Sequence, residues 1–142
     1  MLRELKASLG RVNATVNNIR RLKRRLAMLA GGAEGAIHDL AVRSAAVTEQ
    51  LAAVEAVLVD VYRESPHDVL RHPAGLNDTL VDVINSVSIS DTAPTTQAAA
   101  VAKEVMARVD AEIVKVERLV TTEIAAVNRL ALEREVAAPS AD

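Results

Sequence analysis

Apolar side chains recur at Ile37, Leu40, Val47, Leu51, Val54, Leu58 and Val61, in steps of three, four or seven, with Ser44 standing in the one gap. An α-helix returns to the same face at those steps, so the stretch from about 34 to 63 predicts a helix with one buried side. Residues 2–30 repeat the pattern at Leu2, Leu5, Leu9, Val12, Val16, Ile19, Leu22, Leu26 and Leu29. Two successive three-residue steps, Val16 to Ile19 to Leu22, would locally overwind a coiled-coil seam. Gly10 inside this helix costs about 1 kcal/mol relative to Ala, or else admits a close neighbour. Gly31-Gly32 supplies its stop.

Two prolines and a glycine make residues 64–75 a connection, possible only as loop or a single helical turn. A third helix is expected from about 74 to 88, with Leu76, Leu80, Val83 and Val87 on one face and Ile84 beside them. Residues 88–94 read as a turn and a helix start, where Ser, Asp or Thr can cap orphan amides. The last helix, about 95–135, repeats every eleven residues. Ala102, Ile113 and Ile124 form one set, Val105, Val116 and Val127 a second, and Val109, Val120 and Ala131 a third. Eleven residues over three turns predict a nearly straight helix of roughly 60 Å. Stripes of this kind must bury one another. The expectation is an all-α, elongated up-and-down bundle of three to four helices, one domain over 1–136 with a flexible tail at 137–142.

Composition changes that picture only in its packing. Half of the 142 residues are hydrophobic, yet there is no Phe, Trp or Cys, and Tyr62 is the sole aromatic. A core of Ala, Val and Leu lets helices approach closely. Without Cys there are no disulfides, thiolate metal sites or thiol nucleophiles. No apolar run approaches the roughly 18 residues of a membrane span, and the first residues lack a signal-peptide core, so the expectation is a soluble chain of unassigned compartment.

Charge is uneven. Residues 1–30 carry a balance of +7, with Glu4 their one acid, and the remainder carries −9. The strongest local signal is Arg20, Arg21, Lys23, Arg24 and Arg25, five cations in six residues. Such a cluster can face phosphates or anionic headgroups. Equally, Leu22 and Leu26 belong to the core stripe, which leaves these cations as a solvated face near a helix C-terminus, where positive charge is favourable. The charge pattern favours complementarity within the fold, and the lack of aromatics for base stacking argues against nucleic acid.

Other chemistry is thin. His67, Asp68 and His72, with His38 far off in sequence, lack a metal-ligand spacing. Glu64 with Asp68, and Asp78 with Asp82, are carboxylate pairs at helical spacing with nothing to mark a pocket. The sequons at Asn13 and Asn77 fall in expected helices. Asn13 and Asn17 either edge a helix seam and fix its register or are exposed filler, and Asn128 belongs with them. No phosphate loop, nucleophile elbow or zinc-protease run occurs, so no catalytic residue, metal or cofactor is assigned.

The residues Leu76-Asn77, then Asp91-Thr92-Ala93-Pro94-Thr95-Thr96-Gln97, then Asn128 near the end of a long helix, stand in an order with a parallel. Over about 72–130 the chain resembles the C-terminal helical region of large bacterial sortilin-like proteins with sialidase-type repeats. That resemblance implies a non-catalytic accessory domain that packs against a propeller preceding it, or against its own copy. Glycosidase or receptor activity would belong to the propeller. The alternative is a module that binds a polyanion or a membrane surface through its basic first helix.

Overall fold

The computed structural model describes residues 1–31, 38–59, 75–89 and 93–137, side chains excepted at 30, 31, 38 and 134–137. Among the described residues all regular structure is helical. Five helices follow in order: α1 (Leu2–Gly31), α2 (His38–Leu58), α3 (Leu76–Ile89), α4 (Thr96–Leu119) and α5 (Ala125–Ala137). A π turn, Val120–Ile124, joins α4 to α5 without a break. Thr95 caps α4, its Oγ1 accepting the Ala98 amide at 3.0 Å. Residues 138–142 of the expected tail, and residues 60–74, which include most of the expected connection at 64–75, lie outside the described residues.

The facing rows fix the directions. Arg11 meets Asp110, and the α2 stretch that Arg20 and Lys23 reach at Glu55 lies against α4 beyond Asp110, so α1 and α4 run parallel. Asp39 and Arg43 face Ala126 to Glu133, whereas Gln50 to Val57 face Glu112 to Glu123, so α2 runs antiparallel to α4 and α5. Asp82 to Val87 face Thr95 to Val101, so α3 is also antiparallel to α4. Both α2 and α3 pack on α1 and α4 and barely touch each other. On α4, Ala98 and Val101 meet α3, and three turns later Glu112 and Lys115 meet α2 on the same ridge. The molecule is therefore an all-α up-and-down bundle of three columns. The outer two are α1 and α4–α5, and the middle one is α2 followed by α3.

The buried positions confirm the stripes and correct them in detail. In α2 the series Leu40, Ser44, Val47, Leu51, Val54 and Leu58 is buried at regular four- and three-residue steps. Ser44 thus fills a core place that its polarity conceals. In α1 the seam takes Ser8, fully buried, and Leu2, Leu9 and Leu29 are only half-buried. Nothing approaches within 4 Å of where a Cβ on Gly10 would stand, so this glycine serves no close contact. Asn13, Asn17 and Asn128 are exposed, which leaves them as surface polar residues rather than seam residues.

The eleven-residue reading of the last helix needs the larger correction. Ala102, Val105, Val109, Glu112 and Val116 are buried at heptad steps; Ile113 is half-buried and Val120 is 37% exposed. The next buried residue is Ile124, eight positions beyond Val116. At 3.6 residues per turn, eight positions overshoot two turns by about 80°. The π turn absorbs that excess with its extra residue, bringing Ile124 and Val127 back to the core face. So the repeat is not one uniformly wound rod but two α-helical phases with a widened turn between them. Four of its five residues, Val120, Thr121, Thr122 and Ile124, are β-branched. The Thr121 hydroxyl donates to the carbonyls of Glu117 (3.1 Å) and Arg118 (3.2 Å), and the Thr122 hydroxyl donates to Arg118 (2.6 Å).

Candidate functional site

Three places on this bundle carry more than packing. The first is the basic cluster of α1. Its seam residues Leu22 and Leu26 turn inward, which splits the five cations between two directions. Arg20 and Lys23 turn toward α2 and flank Glu55: Arg20 Nε lies 3.5 Å from Oε2, and Lys23 Nζ lies 3.5 Å from Oε1. The Glu55 side chain is 7% exposed, so these two cations offset the cost of burying a carboxylate. The Arg20 contact is an ion pair too poorly aligned to be a hydrogen bond, and Oε2 has no hydrogen-bonding partner. Arg21 donates to Asn18 Oδ1 at 2.6 Å, a neutral partner that leaves its charge uncompensated. Arg24 and Arg25 are exposed and without a partner among the described residues. Complementarity within the fold accounts for Arg20, Lys23 and also Arg11, which meets Asp110 at 2.6 Å. It does not account for Arg21, Arg24 and Arg25.

The second place is a groove of about 470 Å³ between α2 and the α4–π turn junction. Val54, Val57 and Leu119 give it an apolar floor, and Gln50, Lys115, Arg118 and Glu123 surround it. Glu112 also lines it, on the core ridge of α4, with Oε1 accepting from Lys115 Nζ at 2.8 Å and Oε2 buried without a partner. Sequence reasoning missed Glu55 and Glu112 because acids are not counted as core. Their adjacency to Val54 and Ile113, on the buried side of each stripe, was the available signal.

The third place is the far end of the α3–α4 pair. With Arg11 beside Asp110, the first turn of α4 from Thr96 extends past the start of α1. There α3 and the first turns of α4 share an open groove. Leu76 and Leu80 are fully buried, but Val83, Ile84 and Val87 are only half-buried, and Val81, Ile89 and Val101 are exposed. Val83, Val87, Ala98 and Val101 line an open groove of about 370 Å³.

Of the remaining candidates, His67, Asp68, His72 and Glu64 lie outside the described residues, as does the side chain of His38. Among the described residues no three or more His, Cys, Asp or Glu are grouped so as to hold a metal ion, and no helix is long and apolar enough to cross a membrane. Asp82 is exposed and Asp78 half-buried on α3, with no enclosed cavity shared between them. No family model, curated protein or solved structure matches this chain.

Proposed function

We propose that this chain is a non-catalytic helical packing and interaction module, docking on another protein surface through the open end of its α3–α4 pair. The observation that carries this reading is the open groove in which Val83 and Val87, which continue the α3 stripe of Leu76 and Leu80 but are only half-buried, meet the exposed Val101 of α4. Contiguous apolar surface left in water is the usual mark of a docking face. The buried acids support the same reading, since Glu55 and Glu112 are tied to Arg20, Lys23 and Lys115 of the bundle itself. Of the residues behind the sortilin-like resemblance, Leu76-Asn77 and Ala93 to Gln97 belong to this helical pair and its N-terminal approach, Asn128 lies on α5, and Asp91-Thr92 lie outside the described residues. A preceding propeller, or a second copy of the chain, is the first partner to test.

Sedimentation velocity over a concentration series, alone and with the product of any reading frame found upstream of Met1, tests it. Association abolished by joint Val87→Asp and Val101→Asp substitution, with helicity retained, supports the module. Association indifferent to both substitutions, or none at any concentration with either partner, defeats it.

A second reading, binding of a polyanion by α1, is favoured by one specific observation. Among the described residues, Arg24 and Arg25 stay uncompensated where the fold has paired Arg11, Arg20 and Lys23 with acids.

A further inference from the structure

We propose that the outer face of α1 docks on the surface of an anionic lipid bilayer, with Met28 as its apolar anchor. The proposal rests on the polyanion reading and narrows it to one ligand class. Arg21, Arg24 and Met28 follow one another at three- and four-residue steps, so they share a ridge, with Arg25 beside it. Met28 is 78% exposed. After Glu4, α1 contains no acid at all. Among the described residues, the acids that pair with α1 from its neighbours, Glu55 of α2 and Asp110 of α4, engage Arg20, Lys23 and Arg11. The outward ridge therefore stays cationic.

Charge alone would suit any polyanion. Met28 decides among them. A long, unbranched apolar side chain amid arginines gains nothing from a nucleic-acid backbone. At a bilayer it can enter the headgroup–acyl boundary while guanidinium groups on the same ridge hold lipid phosphates. Base stacking, the other source of affinity for single strands, has no aromatic on α1 to use. No described helix can cross the membrane, so the contact is peripheral.

The test is co-sedimentation of the full chain with vesicles of phosphatidylcholine alone and of phosphatidylcholine mixed with phosphatidylglycerol. Heparin and duplex DNA serve as parallel arms. Binding should appear only on the anionic vesicles and fall as salt rises. Joint Arg21→Gln, Arg24→Gln and Arg25→Gln substitution should weaken it about a hundredfold, and the corresponding Lys substitutions should largely preserve it. Circular dichroism verifies that each variant is folded. These side chains are exposed, and Arg20 and Lys23 stay in place to hold Glu55. The chain has no Trp, so Met28→Trp adds a single reporter whose emission should shift to the blue on anionic vesicles. Three results overturn the proposal: no binding to anionic vesicles, equal binding to neutral ones, or bound Met28→Trp with unshifted emission. Salt-sensitive binding to heparin or DNA without vesicle binding sinks the lipid surface and leaves the polyanion reading standing. Binding to none of them removes both.

Discussion

The middle of the bundle and its α3–α4 end are built from the same material and have opposite fates. Leu51, Val54 and Leu58 on α2, and Leu80, Val83 and Val87 on α3, are both aliphatic rows at helical spacing. The first row is sealed, because α1 and α4 both run past α2. The second is sealed at Leu76 and Leu80, and its continuation is only half-buried, bordering an open groove with α4. An amphipathic stripe thus specifies what a helix can bury, and the number of columns at that level decides what it does bury. The surplus at the open end is what makes a docking role physically reasonable, since burying it later still removes apolar area from water.

The largest effect should come from phase rather than from any one side chain. Deleting Ala107, an exposed residue of α4, would rotate everything beyond it by about 100°, turning Val109, Val116 and Val127 away from the core. Cooperative unfolding should vanish from the middle of the bundle, while α3 and the first turns of α4 keep their register. Deleting Thr121 should do far less. One residue fewer in the π turn makes Val116 and Ile124 seven positions apart, about 20° short of two turns of ordinary α-helix. The deletion variant should fold, with a melting transition close to that of the parent. Thermal denaturation followed by circular dichroism compares the two, and a collapse on removal of Thr121 would show that the widened turn does more than correct phase.

Truncation tests the contrast between the regions directly. Leu51→Ala removes a fully buried side chain from the three-column middle and should cost about 2–5 kcal/mol, the usual range for such cavities. Val87→Ala, in the half-covered row, should cost under about 1 kcal/mol, because little apolar contact is lost. Urea unfolding of both variants gives the numbers. Equal losses would mean that the open end is covered in solution, which self-association would explain and a concentration series would reveal.

How much of this was legible in the sequence depends on the residue type at each seam position. Where the position is aliphatic, as at Val47, Leu51 or Val105, spacing alone locates it, because burial of apolar area drives the packing. Ser8, Glu55 and Glu112 are buried too but their polarity predicts solvent, and Ser44 shows only as a gap in an apolar stripe. What makes them tolerable is nonlocal. Glu55 depends on Lys23, thirty-two residues away, and no local pattern announces that pairing. The π turn was hidden for another reason. An eleven-residue repeat fits a uniformly wound helix as well as heptads with one added residue, and only the exposure of Val120 separates them. The basic cluster was found as a run, but its division into paired and unpaired cations follows from which side of α1 meets α2.

The smallest effect belongs at the boundary between the two regions. Gly10 sits on α1 two residues after Ser8 and two before Val12, both fully buried. By register, Val12 lies level with the end of α2 and Ser8 with the start of α3. A glycine there could have marked close approach of the column where one helix hands over to the next. Instead, nothing stands within 4 Å of an added Cβ. Its effect should then be one of helix propensity alone, so Gly10→Ala should stabilise the chain by about 0.5–1 kcal/mol. The gain should appear equally in the middle and at the α3–α4 end if α1 ties both into one cooperative unit. Native-state hydrogen exchange reads the two regions separately. Protection that rises on α2 but not on α3 would show that the handover is a seam between independently opening parts. Destabilisation would show that the middle column presses closer to α1 in solution than the open space around Gly10 implies.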